Sequence, residues 1–269
     1  MMRKYWIGII TVFLVAALLA MPAGALGETV AQPATAIYQV STINALLQGL
    51  YDGELTCGQL RQRGDLGIGT FDGLDGEMVV LDGRVLRVKA DGSVLPVADE
   101  ETIPFATVTF FRADQTRKVE GALDFTALRQ LLDGLVVNRN LFYAFRIDGD
   151  FSYVQTRSVP RQTKPYPVLA EAAKHQSVFE MRNVQGTIVG FYCPPYVQGL
   201  NVPGYHLHFV SRDRSQGGHL LECTLTNGTI QAETLREFHM VLPVNPDFAR
   251  TNLTADHREE LQKVESSRE

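Results

Sequence analysis

Short turn dipeptides separate strand-like runs along most of this 269-residue chain, and they constrain its fold more than any other feature. Asp-Gly and Asn-Gly pairs supply the positive φ angles that tight hairpins need. Four such pairs lie between runs rich in β-branched and aromatic residues, at Asp82-Gly83, Asp91-Gly92, Asp148-Gly149 and Asn227-Gly228. The pattern therefore predicts mostly antiparallel sheet, with a hairpin at each of these positions.

A few amphipathic stretches predict short helices between the strands. Ser41 is the predicted cap of a helix in 41–53, and Asp124 of one in 124–136. Further helices are predicted in 56–64 and 167–176, with a polar helix or tail in 254–267. The chain is therefore predicted to be an α/β protein of the α+β type, with two β-rich halves of antiparallel or mixed sheets.

The predicted organisation has four parts. Residues 1–25 are a signal peptide, 26–37 a flexible mature N-terminus, 38–163 an N-terminal mixed-sheet domain and 164–269 a C-terminal β-rich domain. The boundary between the two domains is predicted in the proline-rich segment 159–168.

The N-terminal leader predicts export. Arg3 and Lys4 precede the uncharged run 6–21, and the small residues Ala23 and Ala25 follow it. This is the three-part pattern of a secretory signal peptide, with cleavage expected near Ala25. An uncleaved membrane anchor is the alternative, although the apolar run is short of the roughly 20 residues that a spanning helix needs. The mature protein is expected to be secreted and soluble.

Composition excludes some classes of function. The 25 basic and 30 acidic residues give a net charge of −5, and the basic residues are scattered, which argues against nucleic-acid binding. The three cysteines, Cys57, Cys193 and Cys223, are too few and too widely spaced for a disulfide framework. Cys193 and Cys223 could pair, and the alternative is that the cysteines are buried free thiols.

Three of the six histidines, His206, His208 and His219, fall within fourteen residues and suggest a metal site. The two-residue period of a strand turns His206 and His208 to the same face. The turn-like segment 211–218 would bring His219 beside His208 as a cross-strand neighbour. Three protein ligands with an open position are typical of catalytic zinc. The alternative is that they are ordinary polar residues on a sheet face.

Several metalloenzyme families use a His-x-His pair and a later histidine. Cupins add a glutamate a few residues after the pair, whereas this chain has only Asp213 there. Secreted carbonic anhydrases differ in the surrounding sequence. Four segments of this chain resemble the acetolactate decarboxylase family and occur in the same order. They are RGDLGIGTFDGLDGEM, TRSVPRQTKPYP, GTIVGFYCPPYVQGLNVPGYHLHFVSRDRSQGGHLLE and the terminal VESSRE. The resemblance extends from about residue 38 to the end.

The resemblance implies roles for individual residues. His206, His208 and His219 match the zinc ligands of the family. Glu77, Arg157 and Glu265 match catalytic residues beside the metal, and Thr70 matches a residue that lines the substrate pocket. It also implies that Glu77 comes from the N-terminal half and the metal ligands from the C-terminal half, in a homodimer joined through sheet.

The implied activity is zinc-dependent decarboxylation of 2-acetolactate to (R)-acetoin and CO2, in acetoin and butanediol biosynthesis. The family chemistry has the hydroxyl and keto oxygens of the substrate chelated by the metal, which stabilises an enediolate. Zn2+ is then the one cofactor expected and a small molecule the substrate. Two other functions stay open on the residues alone: a cupin-like or hydrolytic metalloenzyme acting on another small acid, and a non-catalytic metal- or ligand-binding module.

Overall fold

The computed structural model describes residues 35–265. The predicted signal peptide, 1–25, lies outside the described residues, as do 26–34 of the predicted flexible segment and the last four residues of the chain. Ala36 and Ile37, the last two residues of the segment predicted to be flexible, lie in a strand instead. Among residues 35–265, no helix has the length and apolar character needed to cross a membrane.

Residues 35–265 contain fourteen strands and six α-helices. The strands are β1 (Ala36–Val40), β2 (Leu55–Thr56), β3 (Leu66–Thr70), β4 (Glu77–Leu81), β5 (Arg84–Val88), β6 (Val94–Pro96), β7 (Thr102–Ile103), β8 (Phe105–Thr109), β9 (Gln115–Asp124), β10 (Phe142–Ser158), β11 (Ser177–Cys193), β12 (Gly204–Ser211), β13 (Gly217–Leu235) and β14 (Glu237–Val241). The helices are α1 (Ile43–Leu47), α2 (Cys57–Arg61), α3 (Phe125–Leu135), α4 (Leu169–Ala173), α5 (Pro246–Arg250) and α6 (Arg258–Glu265). The α+β class is confirmed.

Seven of the described strands form the first sheet, in the order β14-β1-β8-β3-β4-β5-β6. Its neighbours are antiparallel except β1 and β14, which are parallel. The meander β4-β5-β6 confirms two predicted hairpins. Gly83 and Gly92 have φ of 71° and 87° in its turns, the positive values for which glycine is favoured.

The second sheet has the order β10-β11-β12-β13-β9, and β10 also pairs with β13, so that four of its strands close into a small barrel. The hairpins predicted at Asp148-Gly149 and Asn227-Gly228 are wrong, because both pairs lie inside the continuous strands β10 and β13. Gly149 faces Gly228 across these strands. A Cβ atom on Gly149 would lie 2.5 Å from the carbonyl oxygen of Asn227. Glycine here permits close approach of the two strand backbones and does not form a turn.

The predicted helices are present. Asp124 caps α3 as predicted, and its side chain accepts a hydrogen bond from the amide of Ala127 at 2.8 Å. The cap of α1 is Thr42, one residue after the predicted Ser41. Helix α5 was not predicted, although Asn245 at its N-cap and Pro246 at its first position are both typical start signals.

The two sheets do not divide at the proline-rich segment 159–168. Strands β9 and β10 precede it and belong to the second sheet, whereas β14 follows it and belongs to the first. The predicted division into 38–163 and 164–269 therefore cuts across both sheets. Prolines end a strand because they cannot donate to the ladder, but strand pairing and apolar faces decide sheet membership.

One apolar cluster joins the two sheets. Ile68 of β3 and Val79 of β4 are fully buried in the same cluster as Val189 and Phe191 of β11. Burial of such side chains contributes about 1.5–3 kcal/mol each. This packing fixes β4 against the second sheet, which is where the three histidines lie. Cys57, Cys193 and Cys223 are buried free thiols, as one of the two interpretations of the sequence held.

Candidate functional site

The three histidines converge as the sequence predicts. His206 and His208 lie on β12, and His208 is the direct cross-strand partner of His219 on β13. Their ring centroids are 5.1 to 5.3 Å apart. One nitrogen from each ring lies within 4.8 Å of the others, so the three residues could hold a metal ion.

Burial keeps these imidazoles neutral. Removal from water lowers the pKa of His206 to about 3 and the pKa of His208 and His219 well below the ordinary value. The guanidinium of Arg157 lowers each pKa further. A metal ligand must be the neutral imidazole, because a protonated ring nitrogen has no lone pair to donate.

One ring has its tautomer set by the first sheet. Nδ1 of His208 lies 2.7 Å from the carbonyl oxygen of Met78 in β4. Since a carbonyl only accepts hydrogen bonds, Nδ1 carries the proton and Nε2 carries the lone pair. That Nε2 is buried without a hydrogen-bond partner among the described residues. An orientating bond on one nitrogen and a free second nitrogen are typical of a metal-ligating histidine.

Two carboxylates face the histidines from other elements. Glu77 is the first residue of β4, and its Oε2 lies 3.6 Å from Nε2 of His208. Glu265 is the last residue of α6, and its Oε2 lies 3.8 Å from Nε2 of both His206 and His219. The structure therefore brings both predicted glutamates to the histidines, one from each side.

The ionisation of these carboxylates is perturbed. Burial raises the pKa of Glu77 and of Glu265 to about 7. The positive charge of Arg157 partly offsets this rise, because it lowers the pKa of both carboxyl groups. The negative charge of Glu265 adds to the rise in the pKa of Glu77. Two acids that titrate near neutral pH, both in the same pocket, are typical of a site for proton transfer.

Arg157 lies beside both the histidines and the carboxylates. Its backbone pairs with that of His219 across β10 and β13, and its side chain is buried. One guanidinium nitrogen, Nη1, lies 3.8 Å from Oε1 of Glu77, and Nε has no hydrogen-bond partner among the described residues. A buried guanidinium with unused donors can bind an anionic oxygen.

Local backbone geometry positions these side chains. Gly218 has φ of 132°, and a Cβ atom there would lie 2.5 Å from the carbonyl oxygen of Arg157, so glycine lets β13 reach β10 beside His219. Thr70 is buried opposite Glu77 across β3 and β4. Its hydroxyl donates to the carbonyl of Gly76 at 2.7 Å, which holds the turn immediately before Glu77.

Some parts of the site were not predicted from the sequence. The carbonyl of Met78 belongs to the backbone, for which residue type carries no signal. A pocket of about 40 Å3 beside the polar residues has an apolar wall whose members come from distant parts of the chain: Ile43, Leu46, Leu74, Phe105, Val159, Leu169 and Val264. A wider cavity of about 760 Å3 is also lined by His219 and Glu265. Such walls depend on long-range packing.

Comparison with known proteins gives a consistent result. The profile of the family described as Alpha-acetolactate decarboxylase matches residues 37–255. The protein named Alpha-acetolactate decarboxylase from Methanosarcina mazei is 52% identical over 229 residues, 85% of this chain and 80% of that protein. The protein of the same name from Bacillus subtilis strain 168 is 41% identical over 239 residues, 88% of this chain and 94% of that protein.

The fold also matches a solved structure. The crystal structure of alpha-acetolactate decarboxylase from Bacillus subtilis strain 168 superposes with a TM-score of 0.85 at 40% identity, covering 87% of this chain and 100% of that one. A Staphylococcus aureus protein described as similar to the same enzyme superposes with a TM-score of 0.81 at 28% identity, covering 86% and 98%. Glu265 lies beyond the residues that the family profile matches, so its place in the site rests on geometry.

Proposed function

This chain belongs to the alpha-acetolactate decarboxylase family, a family of carboxy-lyases, and we propose that it converts 2-acetolactate to acetoin and CO2 with a metal held by three histidines. The observation that carries the proposal is the convergence of three histidines, two carboxyl groups and one buried guanidinium at one place. These groups match the needs of the reaction one by one.

The chemistry begins with the substrate. Acetolactate carries its carboxylate and a hydroxyl on one carbon and a ketone on the next, so it is a β-keto acid. When the bond to the carboxylate breaks, CO2 leaves and the electron pair passes to the ketone oxygen, which gives an enediolate. A proton must then reach the carbon that lost CO2 to give acetoin. The protein must therefore bind an anion, stabilise new negative charge and supply one proton.

Arg157 is proposed to bind the negative charge. Its guanidinium is planar and permanently charged, with Nε free of partners among the described residues. It can donate two parallel hydrogen bonds to the substrate carboxylate or to an enediolate oxygen. Because the side chain is buried, such bonds are stronger than they would be in water.

The two glutamates are proposed to handle the proton. Burial raises the pKa of Glu77 and of Glu265 to about 7, so each carboxyl group can hold a proton and deliver it as an acid. Glu77 lies beside His208, and Glu265 lies beside His206 and His219, so both carboxyl groups are close to a molecule bound at the histidines. We assign Glu77 as the principal proton donor and Glu265 as its partner, with Thr70 lining the pocket.

Zinc is the proposed metal. His206, His208 and His219 fit it because they supply three neutral nitrogen ligands and leave a position for substrate. Bound there, Zn2+ would act as a Lewis acid toward the hydroxyl and keto oxygens of the substrate. The unpartnered Nε2 of His208, with Nδ1 already bonded to Met78, is the feature that best supports a ligand role.

The test is direct. Purified protein is incubated with acetolactate, and acetoin and CO2 are measured, with and without a metal chelator. We expect both products in equal amounts, loss of activity with chelator, recovery on adding zinc and about one zinc per chain by elemental analysis. Chiral chromatography tests whether the product is (R)-acetoin. Absence of acetoin from the zinc-loaded protein would exclude the proposed activity.

Two sequence predictions accompany the proposal. We propose that the protein is exported after cleavage near Ala25 and that it forms a homodimer joined through sheet. Mass spectrometry of the exported protein tests the first. An N-terminus that still begins at Met1 would show that the leader is not cleaved and would favour a membrane anchor. Light scattering at several concentrations tests the second, and a monomer throughout would exclude it.

A further inference from the structure

Two cavities of very different size meet at the histidines. The wide cavity, about 760 Å3, and the narrow pocket, about 40 Å3, share His219 and Glu265 as lining residues. A molecule bound at these residues therefore borders both a wide cavity and a narrow one. The narrow pocket is the part of the site that can discriminate between substrates by size.

The narrow pocket has a polar side and an apolar side. Among the described residues, its polar lining consists of Thr70, Glu77, Arg157, His206, His219 and Glu265, all of them already assigned to the site. Its apolar lining includes Ile43 and Leu46 of α1, Leu169 of α4 and Val264 of α6. When the polar groups bind the oxygens of a substrate, an alkyl substituent is left to contact the aliphatic wall.

The wall has little freedom to move. Ile43, Leu46, Leu169 and Val264 belong to one apolar cluster, and each is at most 7% exposed. Packed interiors of this kind resist enlargement by even one methylene group. The cavity of about 40 Å3 is only about three times the roughly 10–15 Å3 that holds one water on the same measure. The pocket therefore suits one very short alkyl group.

We propose that the narrow pocket receives one short alkyl substituent of the substrate and that Leu46 sets the upper limit on its size. The proposal rests on the proposed function, because acetolactate has one methyl group on its hydroxyl-bearing carbon and one on its ketone. Leu46 is a specificity-determining residue in this account. Oxygen-bearing groups are selected by the metal site, and chain length is selected by α1.

Adjacent leucines of α1 give a matched test. Leu46 lines the narrow pocket, whereas Leu47 is buried in the same cluster and does not line it. Leu46→Ala and Leu47→Ala remove the same atoms from the same helix. The kcat/KM values are measured for acetolactate and for two homologues, with ethyl in place of methyl on the hydroxyl-bearing carbon or on the ketone.

Leu46→Ala is expected to raise the kcat/KM of one homologue relative to acetolactate by about tenfold or more, the scale of one methylene in an apolar pocket. Leu47→Ala is expected to leave both ratios as in the native protein. The homologue that gains identifies the substituent in the pocket. Equal ratios in all three proteins would overturn the proposal, as would the same gain in Leu47→Ala.

Two further variants keep the test decisive if Leu46→Ala does not fold. Leu46→Val removes less volume and should shift the same ratio in the same direction by a smaller factor. Val159→Ile adds one methylene to the pocket and should lower the ratio. A native protein that does not decarboxylate acetolactate would overturn the proposed function and this proposal together. Native turnover with ratios insensitive to both variants would overturn this proposal alone.

Discussion

The histidines and the carboxyl groups of the site are held in different ways. His208 and His219 lie inside paired strands of the second sheet, where the ladder fixes their separation on both sides. Glu77 and Glu265 lie at the ends of elements, the first residue of β4 and the last of α6. The three histidines therefore come from two neighbouring strands of one sheet, whereas the two carboxyl groups come from a strand of the other sheet and from a helix.

This difference in position corresponds to a difference in role, since the histidines are proposed to bind the metal and the carboxyl groups to transfer the proton. A paired strand tolerates little displacement, which suits ligands that must keep fixed distances to one ion. Glu265 is at the end of a helix and belongs to no ladder, whereas Glu77 is paired with Thr70 and Val88 on either side. Neither carboxyl group is one of the three proposed ligands. Loss of a histidine should therefore affect metal and turnover together, whereas loss of a carboxyl group should affect turnover alone.

His208→Ala is the strongest test of the proposed metal ligands. We expect it to lose zinc and to lower turnover by about 10³-fold or more, because Lewis-acid stabilisation contributes several kcal/mol. Zinc stoichiometry and acetoin formation are measured on the same preparation. His239→Ala, on the exposed strand β14, is the matched control and should change neither. Full zinc content and full turnover in His208→Ala would refute the ligand assignment.

Glu77→Gln tests the proposed proton donor. The amide keeps the shape but lacks the exchangeable acid proton, so we expect zinc and thermal stability to be retained while turnover falls by roughly 10²-fold or more. Glu265→Gln, measured alongside, shows how the two carboxyl groups share the task. Loss of zinc in proportion to activity would instead make Glu77 a ligand, and near-normal turnover would remove its acid role.

Arg157→Lys tests the guanidinium that lies beside both the histidines and the carboxyl groups. Lysine keeps the charge but loses the planar pair of donors, so we expect turnover to fall by about 10- to 10²-fold, the scale of one hydrogen bond to a charged group. Arg146→Lys, on the same strand, pairs with Asp82 and Asp148 away from the site and is the matched control. Equal effects in the two variants would reduce Arg157 to a structural charge.

Glu233→Gln tests a buried carboxyl group outside the site, on the same strand as His219. Burial raises the pKa of Glu233 from 4.5 to about 7. The folded state therefore holds this proton more tightly than the unfolded state. The contribution of this bound proton to the stability of the folded protein is fully present below pH 4.5, and it is lost as the pH rises through about 7.

The effect of Glu233→Gln on stability is expected to depend on pH, because the raised pKa of Glu233 makes its ionised form unfavourable in the folded protein. The variant should match native stability near pH 4.5 and exceed it at pH 8 by about 1 to 2 kcal/mol, because glutamine never ionises. Denaturant titrations at the two pH values measure it, with acetoin formation as the control for the site. A variant with the same pH dependence as the native protein would place the responsible group elsewhere.

Much of the site follows from sequence, but for unequal reasons. The alternation in β12 and the turn before β13 are local, so the pairing of His208 with His219 could be predicted from spacing. Glu77, Arg157 and Glu265 have no such local signal. They were predicted from a family resemblance, since nothing in their immediate neighbours distinguishes them from surface charges.

The wrong predictions have a common physical origin. Asp82-Gly83 and Asp148-Gly149 are the same dipeptide, yet one is a turn and the other lies within a 17-residue strand. Glycine permits positive φ and also close backbone approach, and only the neighbouring strand decides which property is used. The strand exchange that assigns β9, β10 and β14 to their sheets is equally non-local.

The parallel pair β1 and β14 has a consequence for the order of folding. Ala36 pairs with Glu237, so β1 cannot find its second neighbour until almost the whole chain has been synthesised. Contacts of such long sequence separation form late and slow the search for the native state. Completing the first sheet thus requires pairing between two segments about 200 residues apart. A nascent chain that stops at Leu235 should leave β1 with one open edge, exposed to chaperones or to other chains.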